Sequence, residues 1–381
     1  MTTQWAAGFT RAFRSVGVSW GGLRVLAPKA DLALVLKRVS ETTIRFAFRR
    51  RPEAAPAHTW TMEVWRAVEN HKRGTTAIAV RCPGDPEGDV WCYNAIHSQA
   101  VTFAARWATE MGFELGDSLE AKGRGRAVGI MAHPGAEYCA AMLAAWRLGW
   151  IAVPLSPSHP IGELQHAVTE AKVTEVFVTR TLFYKVSLTN KVRDRLRELK
   201  GCTIHILEGN HVGVDIRTLT RTPEPAPDDG ALIIFTSGTT GAPKAALHTH
   251  GSLDAQVRSL SEAWGWTSGD KIRHCLPLNH VHGIVNAWMC AFANGAEVTF
   301  CQKFSASEWW DSALSGSSVS TKDDSFTVFM GVPTMYVRLI QAYDGQDTAE
   351  QRAMSAAASK LRLCVSGSAV SLFQCLYGQL E

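Results

Sequence analysis

The sequence predicts an α/β fold, and three observations carry that expectation. Residues 127–131 are a short apolar run, residues 135–148 have helical spacing, and residues 150–155 return as a second apolar run, which is a strand–helix–strand crossover between parallel strands. A further round follows, with a helix over 161–171 and then Glu175-Val176-Phe177-Val178-Thr179. A third apolar run, Ala231-Leu232-Ile233-Ile234-Phe235, ends in glycine and hydroxyl residues. At 381 residues and 46% apolar content, the chain can build one large α/β domain or two medium ones with a real core.

The N-terminus differs from everything after it. Residues 1–51 hold ten Lys/Arg against Asp31 and Glu41, so this stretch carries +8 and the remainder −4 of the whole-chain charge of +4. Trp5, Phe9 and Phe13 recur every four residues and would share a helix face from which Arg11 and Arg14 fall away. That is the pattern of an organelle transit peptide with Arg49-Arg50-Arg51 near its end, and residues 1–56 are read as such a leader. The mitochondrial matrix is the expected destination, with plastid or cytoplasm as alternatives and an ordinary basic extension as the bland reading. The mildly acidic body argues against nucleic acid as a partner. The best candidate for a membrane span, residues 140–155, is short and carries Arg147, so no transmembrane segment is expected. Nine scattered cysteines include no CxxC and no zinc spacing, so they are read as free, partly buried thiols, and no metal ligands are assigned.

Within the body, residues 76–81 and 89–93 read as strands joined by a Pro/Gly/Asp turn, and residues 94–112 as a helix with Ile96, Ala100, Phe103, Ala104, Trp107 and Met111 on its apolar face. Residues 222–230 are a Pro/Asp linker, and residues 315–325 a polar loop.

The strongest local signal follows the strand at 231–235. Thr236-Ser237-Gly238-Thr239-Thr240-Gly241-Ala242-Pro243-Lys244 offers glycines that let a backbone approach an anion, hydroxyls that can ring phosphate oxygens, and a mobile positive charge on Lys244. It is not a Walker A loop, because Pro243 stands where the second glycine belongs. Residues 245–248 return as a strand, so the loop joins two strands, and a helix begins later with Ser252 as its expected N-cap. Both features disfavour a P-loop kinase. The string resembles the signature loop of the adenylate-forming superfamily of acyl-CoA synthetases, luciferases and peptide-synthetase adenylation domains. By that resemblance the loop holds the β- and γ-phosphates of ATP while a carboxylate attacks the α-phosphate, and coenzyme A then takes the acyl group.

Residues 276–287 contain His280-Val281-His282-Gly283. Two histidines two apart point the same way in an extended chain and diverge in a turned one, so a metal pair and satisfied loop histidines both stand as readings of the residues alone. The superfamily resemblance adds a Pro-x-x-His element lining the acyl pocket, whose histidine is matched by His280, while Asn279 stands where an aromatic residue or histidine is common. Val285-Asn286-Ala287, Gly295-Ala296, residues 329–336, Ala152-Val153-Pro154-Leu155 and His159-Pro160 extend the resemblance to malonyl-CoA synthetases of the mitochondrial type, over roughly residues 60–370. A dicarboxylate such as malonate needs a cation for its second carboxylate, and arginine's fork suits it. Arg338, on an expected helix over 333–343, matches the family's malonate-binding basic position; a surface arginine is the bland reading. An apolar strand then ends in Ser366-Gly367-Ser368-Ala369, which resembles the adenine and acyl wall.

The resemblance implies the large N-terminal adenylation domain of the acyl-CoA synthetase/luciferase type, with stacked helix-flanked sheets, over residues 57–381. It implies catalytic roles for Lys244 and His280, substrate contacts from His280, His282, Arg338 and Ser366, and ATP, Mg²⁺ and coenzyme A as cofactors. The family next carries a Tyr-Gly-x-Thr-Glu element whose glutamate helps hold Mg²⁺, then a ribose-binding Asp and a C-terminal lid with a catalytic Lys. Tyr377-Gly378-Gln379-Leu380-Glu381 lacks the threonine and comes too soon, so the second subdomain is expected to be incomplete, the lid absent and full activity weak or nil. A fatty-acyl-CoA synthetase for monocarboxylic acids and a non-catalytic nucleotide-binding relative are the alternatives.

Overall fold

The computed structural model describes residues 17–20, 23–25, 64, 68, 78–82, 90–113, 123–184, 189–207, 225–236, 242–315 and 325–368. In chain order, strands β1 (Gly17–Trp20), β2 (Leu23–Val25), β3 (Ile78–Arg81) and β4 (Val90–Cys92) precede helix α1 (Tyr93–Glu110). Then come β5 (Ala127–Met131), α2 (Ala136–Arg147), β6 (Ile151–Pro154), α3 (Ile161–Glu170), β7 (Glu175–Thr179), α4 (Arg180–Tyr184), α5 (Thr189–Glu198) and β8 (Thr203–Leu207). β9 (Gly230–Thr236), β10 (Lys244–Thr249), α6 (His250–Trp264) and β11 (Lys271–His274) lead to a π-helix (His282–Met289), α7 (Cys290–Ala293) and β12 (Glu297–Phe300). α8 (Ala306–Ser315), β13 (Val328–Gly331), α9 (Pro333–Asp344), α10 (Thr348–Ala358) and β14 (Leu363–Ser366) complete the described elements. The chain divides into two compact units, residues 60–269 with 274–302, and residues 1–59 with 270–273 and 303–381.

The larger unit is built on a six-stranded sheet in the order β10-β9-β6-β5-β7-β8. β5 pairs in parallel with β6 and β7, as the strand–helix–strand pattern predicts, and β9 and β10 form an antiparallel hairpin at one edge. Such parallel strands lie between layers, and β6 is buried at all four positions. Helix α2 is buried from Ala136 through Trp146; its five alanines allow close packing on both sides. The predicted face of α1 is buried from Ile96 to Trp107, while Met111 falls at the C-cap and is half-buried; Phe103, Trp107, Trp150 and Phe177 stack in sequence, with Trp107 and Phe177 ring centroids 4.0 Å apart. β3 pairs antiparallel with β4 and parallel with β12 in the same unit.

In the smaller unit β13 and β1 flank β14, both parallel to it. Asp270, 3% exposed, fastens the strand starts here. Arg362 donates to it from Nε at 2.5 Å and Nη2 at 2.6 Å, and Thr327 Oγ1 donates at 2.9 Å. A buried carboxylate held by three donors of this kind is fully compensated.

One expectation changes. The helix after β10 is capped by Thr249, not Ser252: Thr249 Oγ1 accepts from Ser252 N and Ser252 Oγ accepts from Thr249 N, a reciprocal capping box in which Ser252 is the third helical residue. Residues 17–20 and 23–25 form β1 and β2, with Gly17 in register with Leu363. The Trp5/Phe9/Phe13 face, Arg49-Arg50-Arg51, most of the loop at 315–325, and Tyr377 to Glu381 lie outside the described residues. Among the described residues no helix is long and apolar enough to cross a membrane, and no group of three or more His, Cys, Asp or Glu forms a metal site.

Candidate active site

The hairpin fixes both ends of the glycine- and hydroxyl-rich loop. Thr236 and Lys244 are partners in the β9–β10 register, so seven residues separate two paired positions. Ser237, Gly238, Thr239, Thr240 and Gly241 lie outside the described residues. Thr236 Oγ1 reaches the Lys244 carbonyl at 3.5 Å, and His166 Nε2 lies 2.7 Å from the Pro243 carbonyl. Lys244 is exposed and makes no ion pair among the described residues. An unpaired cation rooted in a strand fits a polyanion, and its long stem can follow one.

The second motif is turned, not extended, and its histidines diverge. His280 is exposed, while His282 opens the π-helix and is 6% exposed. Gly283 makes the turn possible: a Cβ there would lie 2.2 Å from the Pro277 carbonyl oxygen. The same approach lets His274 Nε2 donate to the Gly283 carbonyl at 2.8 Å. Burial lowers His274 and His282 to pKa values of about 4, and lowers His250 likewise, so all three are neutral near pH 7. Partial desolvation, and His159 as a second cause, also lower His280, which favours its neutral form.

His280 has polar company in Asn279 and His159, which the sequence marked, and in Glu163, which it did not. Asn279 Nδ2 stands 3.3 Å from His159 Nε2, and His159 Nδ1 lies 3.5 Å from Glu163 Oε2. Tyr138 donates to the Leu278 carbonyl at 2.9 Å, fixing the backbone just before Asn279. Helix α3, with the turn before it, therefore touches the histidine segment through His159 and the hairpin through His166. No motif marks His166; it is a polar residue between Leu164 and Ala167 on a half-buried helix.

The smaller unit carries the other predicted residues. Tyr336 is buried and donates to the Val365 carbonyl at 2.9 Å, tying α9 to β14. Arg338, two residues on and so about 200° around the helix, is exposed and has no ion-pair partner among the described residues. Ser366 ends β14, the Gly367 amide donates to the Gly331 carbonyl at 3.3 Å, and Ser368 adopts φ of +67°. A non-glycine residue at positive φ is costly backbone and marks a specialised turn. Ala369 lies outside the described residues.

A parallel-stranded α/β core with a Thr/Gly/Lys loop across an edge hairpin and a Pro-x-x-His turn defines an adenylate-forming protein, and the model for AMP-binding enzymes matches residues 69–372. The chain belongs to this family, and its fold is that of the family's N-terminal domain. It is 35% identical to a malonate–CoA ligase of Arabidopsis thaliana over 331 residues, covering 81% of this chain and 51% of the relative. It is 34% identical to the human mitochondrial malonate–CoA ligase ACSF3, covering 73% of this chain and 46% of that protein. A solved malonyl-CoA ligase ternary product complex with methylmalonyl-CoA and AMP superposes with a TM-score of 0.59 at 26% identity, covering 80% of this chain and 55% of that one. The chain thus spans about half the length of the curated relatives it matches.

Proposed function

We propose that this chain supplies the ATP- and acid-binding part of an acid–thiol ligase that uses malonate or methylmalonate. In that reaction a carboxylate oxygen attacks the α-phosphorus of ATP, pyrophosphate leaves with its bonding electrons, and the thiol of coenzyme A then displaces AMP from the acyl-adenylate. Residues 236–244 hold the β- and γ-phosphates, with Lys244 neutralising them. Mg²⁺, when bound with the nucleotide, offsets phosphate charge. Neutral His280 lines the acid's path without adding a charge that would hold a carboxylate away from the nucleotide. Arg338 pairs with the second carboxylate, Ser366 contributes a hydroxyl to the same acid, and residues 366–369 contact adenine. His282, being buried, supports the turn that presents His280.

The observation that carries this reading is Lys244: an exposed cation without an ion-pair partner among the described residues, at the end of a strand-to-strand glycine loop. Titration calorimetry of the purified chain with MgATP, and then with malonate or butyrate in the presence of ATP, tests it. Malonate is expected to bind and butyrate to bind more weakly. Arg338→Met should weaken malonate binding about tenfold or more and leave butyrate unchanged, because a hydrogen-bonded charge pair is lost only for the dicarboxylate. Butyrate binding at least as tight as malonate would point to the monocarboxylic reading, and absence of MgATP binding would overturn the nucleotide site. Malonate-dependent pyrophosphate exchange separates a working ligase from a relative that only binds nucleotide.

Localisation in the mitochondrial matrix is part of the same proposal. It is supported by the basic, acid-poor N-terminus and by the mitochondrial designation of the human relative. A fluorescent fusion of residues 1–60 that stays diffuse in the cytosol would count against it.

A further inference from the structure

The hairpin carries a feature that the family motif does not contain. Pro243 cannot donate a hydrogen bond, and its carbonyl begins the peptide plane leading into Lys244. That carbonyl lies 2.7 Å from His166 Nε2. A carbonyl only accepts, so the imidazole proton sits on Nε2. The next peptide plane, leading out of Lys244, is held from the other side: its carbonyl faces Thr236 Oγ1 at 3.5 Å, and Lys244 is the register partner of Thr236. Both planes that meet at the Lys244 Cα are therefore held, which fixes the direction of its Cα–Cβ bond. The rest of its side chain is exposed.

His166 is itself well anchored. It belongs to α3, whose Leu164, Ala167 and Val168 are buried in the core. Its ring meets the Phe235 ring edge-on at 6.0 Å, and Phe235 pairs across the hairpin with Ala245, the residue after Lys244. One imidazole thus braces both strands at the mouth of the loop.

We propose that His166 is a positioning residue for Lys244, setting the root of the phosphate-binding cation by donating to the Pro243 carbonyl. This rests on the nucleotide-binding reading above. The competing explanation is a tether that only holds α3 to the edge of the sheet. A tether would matter equally for every ligand and for stability, whereas a brace on Lys244 matters only for ligands with phosphates.

The experiment compares MgATP and adenosine binding by the purified chain, its His166→Leu variant and its His166→Gln variant, with melting temperatures for all three. Leucine keeps the apolar contact with Phe235 and removes the donor; glutamine restores a donor. The expected result is MgATP binding about fivefold to tenfold weaker in H166L, the equivalent of one ordinary hydrogen bond, with adenosine affinity unchanged and H166Q within about twofold of the parent. Equal losses for MgATP and adenosine in H166L, or no loss at all, overturn the positioning role while leaving the nucleotide site standing. Failure of H166Q to recover any MgATP affinity also overturns it. If the unmodified chain binds adenosine but gains nothing from the phosphates of MgATP, the underlying reading falls and the inference with it.

Discussion

The two motifs that carry the functional reading are built in opposite ways. The β9–β10 hairpin lies at a sheet edge, with Lys244, Ala245 and Leu247 exposed, and its lysine is held at the main chain while the side chain stays free of ion pairs among the described residues. The π-helix is interior except for half-buried Asn286, and the turn that leads into it depends on a backbone contact with no room for one extra carbon. The hairpin delivers a charge that can move; the histidine segment holds a surface that cannot. Substitutions at the loop end of the first, around Lys244, should therefore change ligand binding and spare the fold, while substitutions in the second should damage the fold first.

Gly283→Ala is the harshest test of that contrast. The added Cβ would stand 2.2 Å from the Pro277 carbonyl oxygen, a backbone atom with no rotamer to move away, and relief would also pull the Gly283 carbonyl from His274. Overpacking of this kind costs about 3 kcal/mol or more. Urea unfolding should show that loss, and a midpoint within experimental error of the parent would refute the claim that this turn is sterically closed.

The elements that position both motifs were readable from pattern. Parallel strands at 127–131, 151–154 and 175–179 appear as apolar runs because they are covered on both faces, and α1 shows its spacing because one face is wet. The π-helix gave no such signal. Gly283, Ile284, Val285, Ala287, Trp288 and Met289 are all buried, so no polar face marks a helical period. His166 was silent for a different reason: its role is to meet a carbonyl 77 residues away in sequence, and any donor of the right length would look the same in the chain. The displaced N-cap came from reading Ser252 by itself, where the structure uses Thr249 and Ser252 as a reciprocal pair.

Acid should act on the buried segment through its histidines. His274 and His282 are lowered to about 4 by burial, and for His274 the neighbouring His282 adds to the lowering. In the unfolded chain these rings take up a proton near pH 6.5, while the folded protein resists until about pH 4, so the unfolded state binds more protons in between. Stability is then full above about pH 6.5 and falls as the pH drops toward 4, by on the order of 3 kcal/mol for each fully buried ring. His250, lowered to about 4 by burial against the opposing pull of Asp229, adds to the same slope. Urea midpoints across pH 7.5 to 4.5 measure it, and His274→Gln, which keeps a donor for Gly283, should flatten the profile. An unchanged slope in that variant would mean that another group dominates.

The mildest expected effect belongs to the hairpin. Thr249 closes β10 and caps α6, accepting from Ser252 N at 3.2 Å while Ser252 Oγ accepts from Thr249 N at 3.0 Å. Thr249→Ala removes one half of that exchange and Ser252→Ala the other, and an exposed cap is worth about 1 kcal/mol. Because the two halves share one geometry, the double variant should lose less than the sum of the singles, a coupling visible in a double-mutant cycle. MgATP affinity should stay within about twofold in all three, since a cap of this strength lies five residues from Lys244 along a paired strand. A large drop in nucleotide binding without a matching drop in stability would mean that the hairpin transmits strain to its loop, and that the exposed motif is as tightly determined as the buried one.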